Sequence, residues 1–174
     1  WNSMWSSSAS GPPIQVGNHL WFYFGGRSGA HGQNPLEYGA VGLASLTVDR
    51  FASLSAGHIE GRLVTQPMIW PGGELLLNAS TTRHLDGHPT DGGGTLFVEV
   101  LDAAGQPVPG FTGSDRAEFA GNVPSRHYRK TPERVGKAVL RWPEGRSLHA
   151  LAGRQIKLAF SLRDAHLYSF RSSG

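Results

Sequence analysis

The sequence predicts an all-β protein built around a jelly-roll-type β-sandwich, and three observations carry that expectation. The 24 glycines and 11 prolines interrupt the 174-residue chain every few positions, which favours short strands over long helices. Apolar residues recur with period two, as in "TLFVEVLD" (Thr95–Asp102), where Leu96, Val98 and Val100 share one face. No stretch keeps a helical period for more than one turn.

The elements follow in order. Residues 1–18 ("WNSMWSSSASGPPIQVGN") are rich in Ser, Gly and Pro and read as loop, with Trp1 and Trp5 inside it. "HLWFYF" (His19–Phe24) reads as a buried strand ending at Gly25-Gly26. "AVGLASLTVD" (Ala40–Asp49) reads as a second strand, with Val41, Leu43, Leu46 and Val48 toward a core. The linking "RSGAHGQNPLEYG" is too long for a tight hairpin. Beyond Phe51 come "RLVTQPMIW" (Arg62–Trp70), the turn Pro71-Gly72-Gly73, and "ELLLNA" (Glu74–Ala79). "STTRHLDGHPTDGGG" (Ser80–Gly94) reads as a long glycine-rich loop before Thr95–Asp102. After the turn "AAGQPVPG" follow the strand "KAVLRW" (Lys137–Trp142) and one helical turn in "SLHALAG", with Leu148 and Leu151 covering the core. In "IKLAFSLRDAHLYSF", Ile156, Leu158, Phe160 and Leu162 share a face, and a break at Arg163–His166 precedes the closing strand. Domain boundaries are expected at residues 1–50 and 51–174.

Composition narrows the chemistry. There is no cysteine, so thiol catalysis, disulfides and thiolate zinc sites are excluded. Lys and Arg are scattered, and the densest run, "RHYRKTPER" (Arg126–Arg134), reads as a solvated loop. With a net charge of only +3 and no recognisable module, no nucleic-acid partner is expected. No apolar run reaches the roughly 18–20 residues of a membrane span. The chain opens on Trp1 without an initiator Met, as a mature or excised piece would.

Four blocks carry a resemblance: "GLASLTVDRFASLSAG", "GRLVTQPMIWPGGELLLNA", "LFVEVLDAAGQPVPGF" and "LAGRQIKLAFSLRDAHLYSF". They resemble the C-terminal unit of bacterial glycosidase-like proteins related to glycoside hydrolase families 32 and 43. "VGNHLWFYFGGRSGAHG" resembles the last blade of the five-bladed β-propeller that precedes the sandwich in that family. The resemblance implies a non-catalytic, carbohydrate-binding accessory sandwich with a polysaccharide or oligosaccharide partner, no cofactor, and a secreted or extracytoplasmic setting. Two other readings stand beside it. The chain is the C-terminal remnant of a glycoside hydrolase, or a structural module that buttresses a propeller. Glycoside hydrolysis needs two carboxyl groups flanking the bond. In the family these lie on earlier blades, so no catalytic residue is assigned here. The orphan blade strands would need a missing propeller, a second chain or the sandwich to pack on.

Candidate site residues follow from side-chain chemistry. "GRSGA" (Gly26–Ala30) is a near miss to the nucleophile elbow, but no helix follows it. Arg27 and His31 are candidate donors to sugar hydroxyls, with Tyr23 packing on a ring face. Trp70 and Trp142, each beside a proline turn, are candidate stacking platforms whose competing role is packing at the core edge. His84, Asp86, His88 and Asp91 form a weak metal candidate, set against a solvated loop. "HIEGR" (His58–Arg62) lies within a family-like block and carries no function.

Overall fold

The structure, a computed structural model, describes residues 5–29, 39–85, 88–123 and 139–174. Among these residues the regular elements are strands and short 3-10 turns, with no α-helix, so the all-β expectation holds. The chain divides into two compact units, Trp1–Phe51 and Ala52–Gly174.

The first unit is one antiparallel sheet of β1 (Trp5–Ala9), β2 (Ile14–Val16), β3 (His19–Arg27) and β4 (Gly39–Thr47). Strand β3 is central. It pairs along its whole length with β4, from His19↔Thr47 to Arg27↔Gly39. Its other edge takes β1 at one end and β2 at the other. The expectation that residues 1–18 are loop is therefore corrected. Ser-rich composition hid a strand, and Pro12-Pro13 only separates its two halves. Val16 pairs with His19 across Gly17-Asn18, with Gly17 at φ +58°, the left-handed conformation that two-residue hairpin turns require. Val41 is 77% exposed and Leu43 is also exposed, against the inward placement expected of them, whereas Val48 is buried.

The second unit holds two larger sheets. One comprises β6 (Gly61–Val64), β7 (Met68–Ile69), β11 (Thr95–Asp102), β12 (Ala117–Phe119) and β14 (Gln155–Arg163), in the order β12-β11-β14-β6 with β7 also on β14. The other comprises β5 (Leu54–Ala56), β8 (Leu75–Ser80), β13 (Asn122–Val123) and β15 (Ala165–Ser172), in the order β13-β8-β15-β5. A separate hairpin joins β9 (Thr82–Leu85) to β10 (His88–Gly93). Here too an expected loop is corrected to strand, since Leu85 pairs with His88 and His84 with Pro89.

The alternation read from sequence places the core. Leu96, Val98 and Val100 of β11 and Ile156, Leu158, Phe160 and Leu162 of β14 are buried with Leu75, Leu77 and Ala79 of β8 in one cluster. Strand β8 is buried at every position, the apolar run Leu75–Leu77 together with the polar Asn78 and Ser80. Each fully buried Leu, Ile or Phe contributes about 1.5–3 kcal/mol, whereas exposed ion pairs give about 0–1 kcal/mol. Stability therefore rests on this sandwich-like core. Leu148 and Leu151 are buried too, on a 3-10 turn (Leu148–Leu151) capped by Ser147, whose Oγ accepts from the His149 N–H at 3.0 Å.

The corner between β7 and β8 is closely knit. Trp70 is 2% exposed, and its Nε1 donates to the Gly73 carbonyl at 3.2 Å. The Glu74 N–H donates to Ser173 Oγ, and the Ser173 N–H to the Glu74 carbonyl, both at 2.9 Å. Gly73 sits at φ +72°, and a Cβ there would lie 2.5 Å from the Gly174 nitrogen. Gly145, at φ +70°, has open space around the same atom. Gly73→Ala should therefore lose more than about 2 kcal/mol, the left-handed penalty plus a backbone clash, and Gly145→Ala only about 1–2 kcal/mol. Urea midpoints of the two variants check the difference.

Candidate functional site

The site residues expected from sequence are placed as follows. Tyr23 and Arg27 fall on the same face of β3, four residues and about 13 Å apart along the strand. At that separation they would meet different sugar residues of a chain. Tyr23 is exposed, and Arg27 borders a hollow of about 450 Å³ floored by Ser7, Gly25, Gly26 and Gly39–Val41. The Gly25 N–H donates to Ser7 Oγ at 3.0 Å, and that fixes the irregular β1–β3 pairing beside the hollow. His31 lies outside the described residues.

Trp70 and Trp142 are both 2% exposed and belong to the core cluster. Their expected role as stacking platforms is corrected, because neither indole offers a ring face to solvent. Trp142 packs edge-on against Phe111, with centroids 5.6 Å apart. Its Nε1 is buried and has no hydrogen-bond partner among the described residues.

Of the metal candidates, His84, His88 and Asp91 take strand positions in the β9–β10 hairpin, and Asp86 lies outside the described residues. Among the described residues no group of three or more metal-ligating side chains comes together.

Sequence reasoning missed a second hollow, of about 770 Å³, beside β11 and β12. It is lined by Phe97, Gly113, Ser114, Arg116, Glu118, Arg141, Trp142 and Pro143. Its construction follows from register. Phe97 is the outward residue between the core-facing Leu96 and Val98, and Glu118 of β12 pairs directly with it. The Arg116 guanidinium lies 3.7 Å from the Phe97 ring centroid, a cation–π contact that holds its planar fork in place. Arg146 secures the rest. It reaches Asp115 at 3.2 Å and Glu144 at 2.6 Å, joining the loop before β12 to the 3-10 turn Pro143–Gly145. Glu99 accepts from the Gly113 N–H at 2.9 Å and pairs with Arg62 at 3.6 Å. The loop carrying Ser114 and Arg116 is thus tied at both ends. Arg116, Arg141 and Glu118 form no ion pair among the described residues, leaving two forked donors and one acceptor group facing solvent.

A third hollow, of about 470 Å³, is apolar and lined by Leu54, Leu63, Leu167, Tyr168 and Phe170, among others. Ser53 Oγ lies 3.1 Å from His166 Nδ1 at its side, and the His166 ring stacks on Tyr168.

No family model, curated protein or solved structure matches this chain.

Replacing Arg146 with Met should cost about 1 kcal/mol or less, since its ion pairs are partly exposed. Amide exchange at Gly113–Arg116 should nonetheless quicken while core strands stay protected, which exchange mass spectrometry would read directly.

Proposed function

We propose that this chain is a non-catalytic carbohydrate-binding accessory module of a glycoside-hydrolase-like protein. The supporting observation is the hollow beside β12, where an aromatic ring, two forked donors and a carboxylate acceptor sit on a strand-and-loop frame held by Arg146. Sugars present hydroxyls that pair with such groups and C–H faces that pack on rings. A pre-positioned guanidinium loses less freedom on binding than a mobile one. The resemblance to the C-terminal unit of glycosidase-like proteins adds the parent context: a jelly-roll sandwich, and a first unit derived from the final strands of a propeller blade. The first unit is a four-stranded antiparallel sheet, the strand number of a propeller blade.

A second reading, a structural module that buttresses a propeller or pairs with another chain, is favoured by one observation. Ile14, Tyr23, Val41 and Leu43 are all exposed on one sheet, and exposed apolar clusters of this kind often mark contact surfaces.

Affinity electrophoresis of the 174-residue chain through gels containing a range of polysaccharides discriminates the two. The binding reading expects retardation on at least one glycan, reduced by Phe97→Ala with little change in melting temperature. Unretarded migration on every glycan would leave the structural reading standing. Turnover of aryl-glycosides by the chain alone would overturn the non-catalytic assignment.

A further inference from the structure

We infer that the hollow beside β12 recognises an acidic glycan, through the carboxylate of a uronic acid residue. This inference rests on the carbohydrate-binding reading and specifies its ligand class. The argument begins with how nearby charge is distributed. Asp115 and Glu144 are both engaged by Arg146, and none of these three lines the hollow. Glu99 is likewise taken by Arg62 and the Gly113 N–H. The charged groups that do line it are Arg116, Arg141 and Glu118. Two guanidinium groups therefore face one carboxylate, and none of the three forms an ion pair among the described residues.

Guanidinium geometry selects the ligand. An Arg fork matches a planar carboxylate with two parallel N–H···O bonds, and these are stronger than bonds to neutral hydroxyls. Arg116 is already oriented by Phe97, so it presents a flat fork instead of a mobile charge. Glu118, paired across from Phe97, repels a second anionic group and accepts from a sugar hydroxyl. That combination suits one carboxylate set among hydroxyls better than a densely sulfated chain. Trp142, at the wall, is 2% exposed, and its indole supplies a fluorescence signal for occupancy.

Calorimetry and tryptophan fluorescence with the full chain test this, using oligogalacturonate, its fully methyl-esterified form, neutral galacto-oligosaccharide and dextran sulfate. The expected result is saturable binding of oligogalacturonate and its loss on esterification. Arg116→Gln or Arg141→Gln should weaken it by roughly tenfold or more, with unchanged melting temperatures, and Trp142 fluorescence should shift on binding. Equal binding of the neutral or esterified sugar, unaffected by the Arg variants, would overturn the acidic-ligand inference and leave the carbohydrate-binding reading intact. Dextran sulfate binding as tightly would overturn carboxylate selection in favour of general anion attraction. Failure of all four ligands, together with unretarded migration on every gel, would remove both.

Discussion

Strand β14 ends at Arg163 in one sheet and β15 begins at Ala165 in the other, so a single residue, Asp164, carries the chain across the core. Its φ of +46° is left-handed, a conformation that Asp tolerates better than most residues. The Asp164 N–H donates to the Gly57 carbonyl at 2.8 Å, which anchors the corner to the segment between β5 and β6. On the other side, a Cβ at Gly94 would lie 2.1 Å from the Asp164 carbonyl oxygen. Only glycine lets the backbone pass so close. The two strands joined here are also the central ones. Strand β14 pairs with β6, β7 and β11, and β15 pairs with β5 and β8.

From that corner the rest of the sandwich can be followed outward. The eight-residue ladder between β11 and β14 fixes which β11 residues face the core, and so leaves Phe97 and Glu99 on the outer side. Strand β12 then adds Glu118 opposite Phe97. The hollow is thus a consequence of core register, since a one-residue slip would turn every one of these side chains inward. Its upkeep by Arg146 uses charge for placement more than for stability, because partly exposed ion pairs contribute little to folding.

Much of the core was legible in the sequence, for physical reasons that differ by strand. In Thr95–Asp102, Leu96, Val98 and Val100 recur with period two, and the observed β11 has the same limits. Ile156 to Leu162 behaves likewise. Trp70 and Trp142 were harder, because a bulky aromatic at a strand end beside a proline has no period to say which way it faces. Two hairpins were hidden by composition, although Gly17-Asn18 and Asp86-Gly87 are both turn-forming pairs. The outward exposure of Val41 and Leu43 runs against the simple rule that apolar alternation marks a buried face. The hollow was not legible at all. Phe97 and Arg116 meet only because β11 and β12 pair, and nothing local in either segment announces the contact.

The central place of β14 and β15 also sets an order of events during synthesis. Strands β5, β6, β7 and β8 emerge well before the partners they pair with. At ordinary elongation rates the gap of about 100 residues between Ala52 and Gln155 corresponds to about 5–20 s. Through that interval the apolar run Leu75–Leu77 lacks the β15 partner that buries it in the finished sandwich. The first unit, whose strands pair with near neighbours in the chain, faces no such delay. The second unit is accordingly the part of this protein with the greater call on chaperones while it is being made.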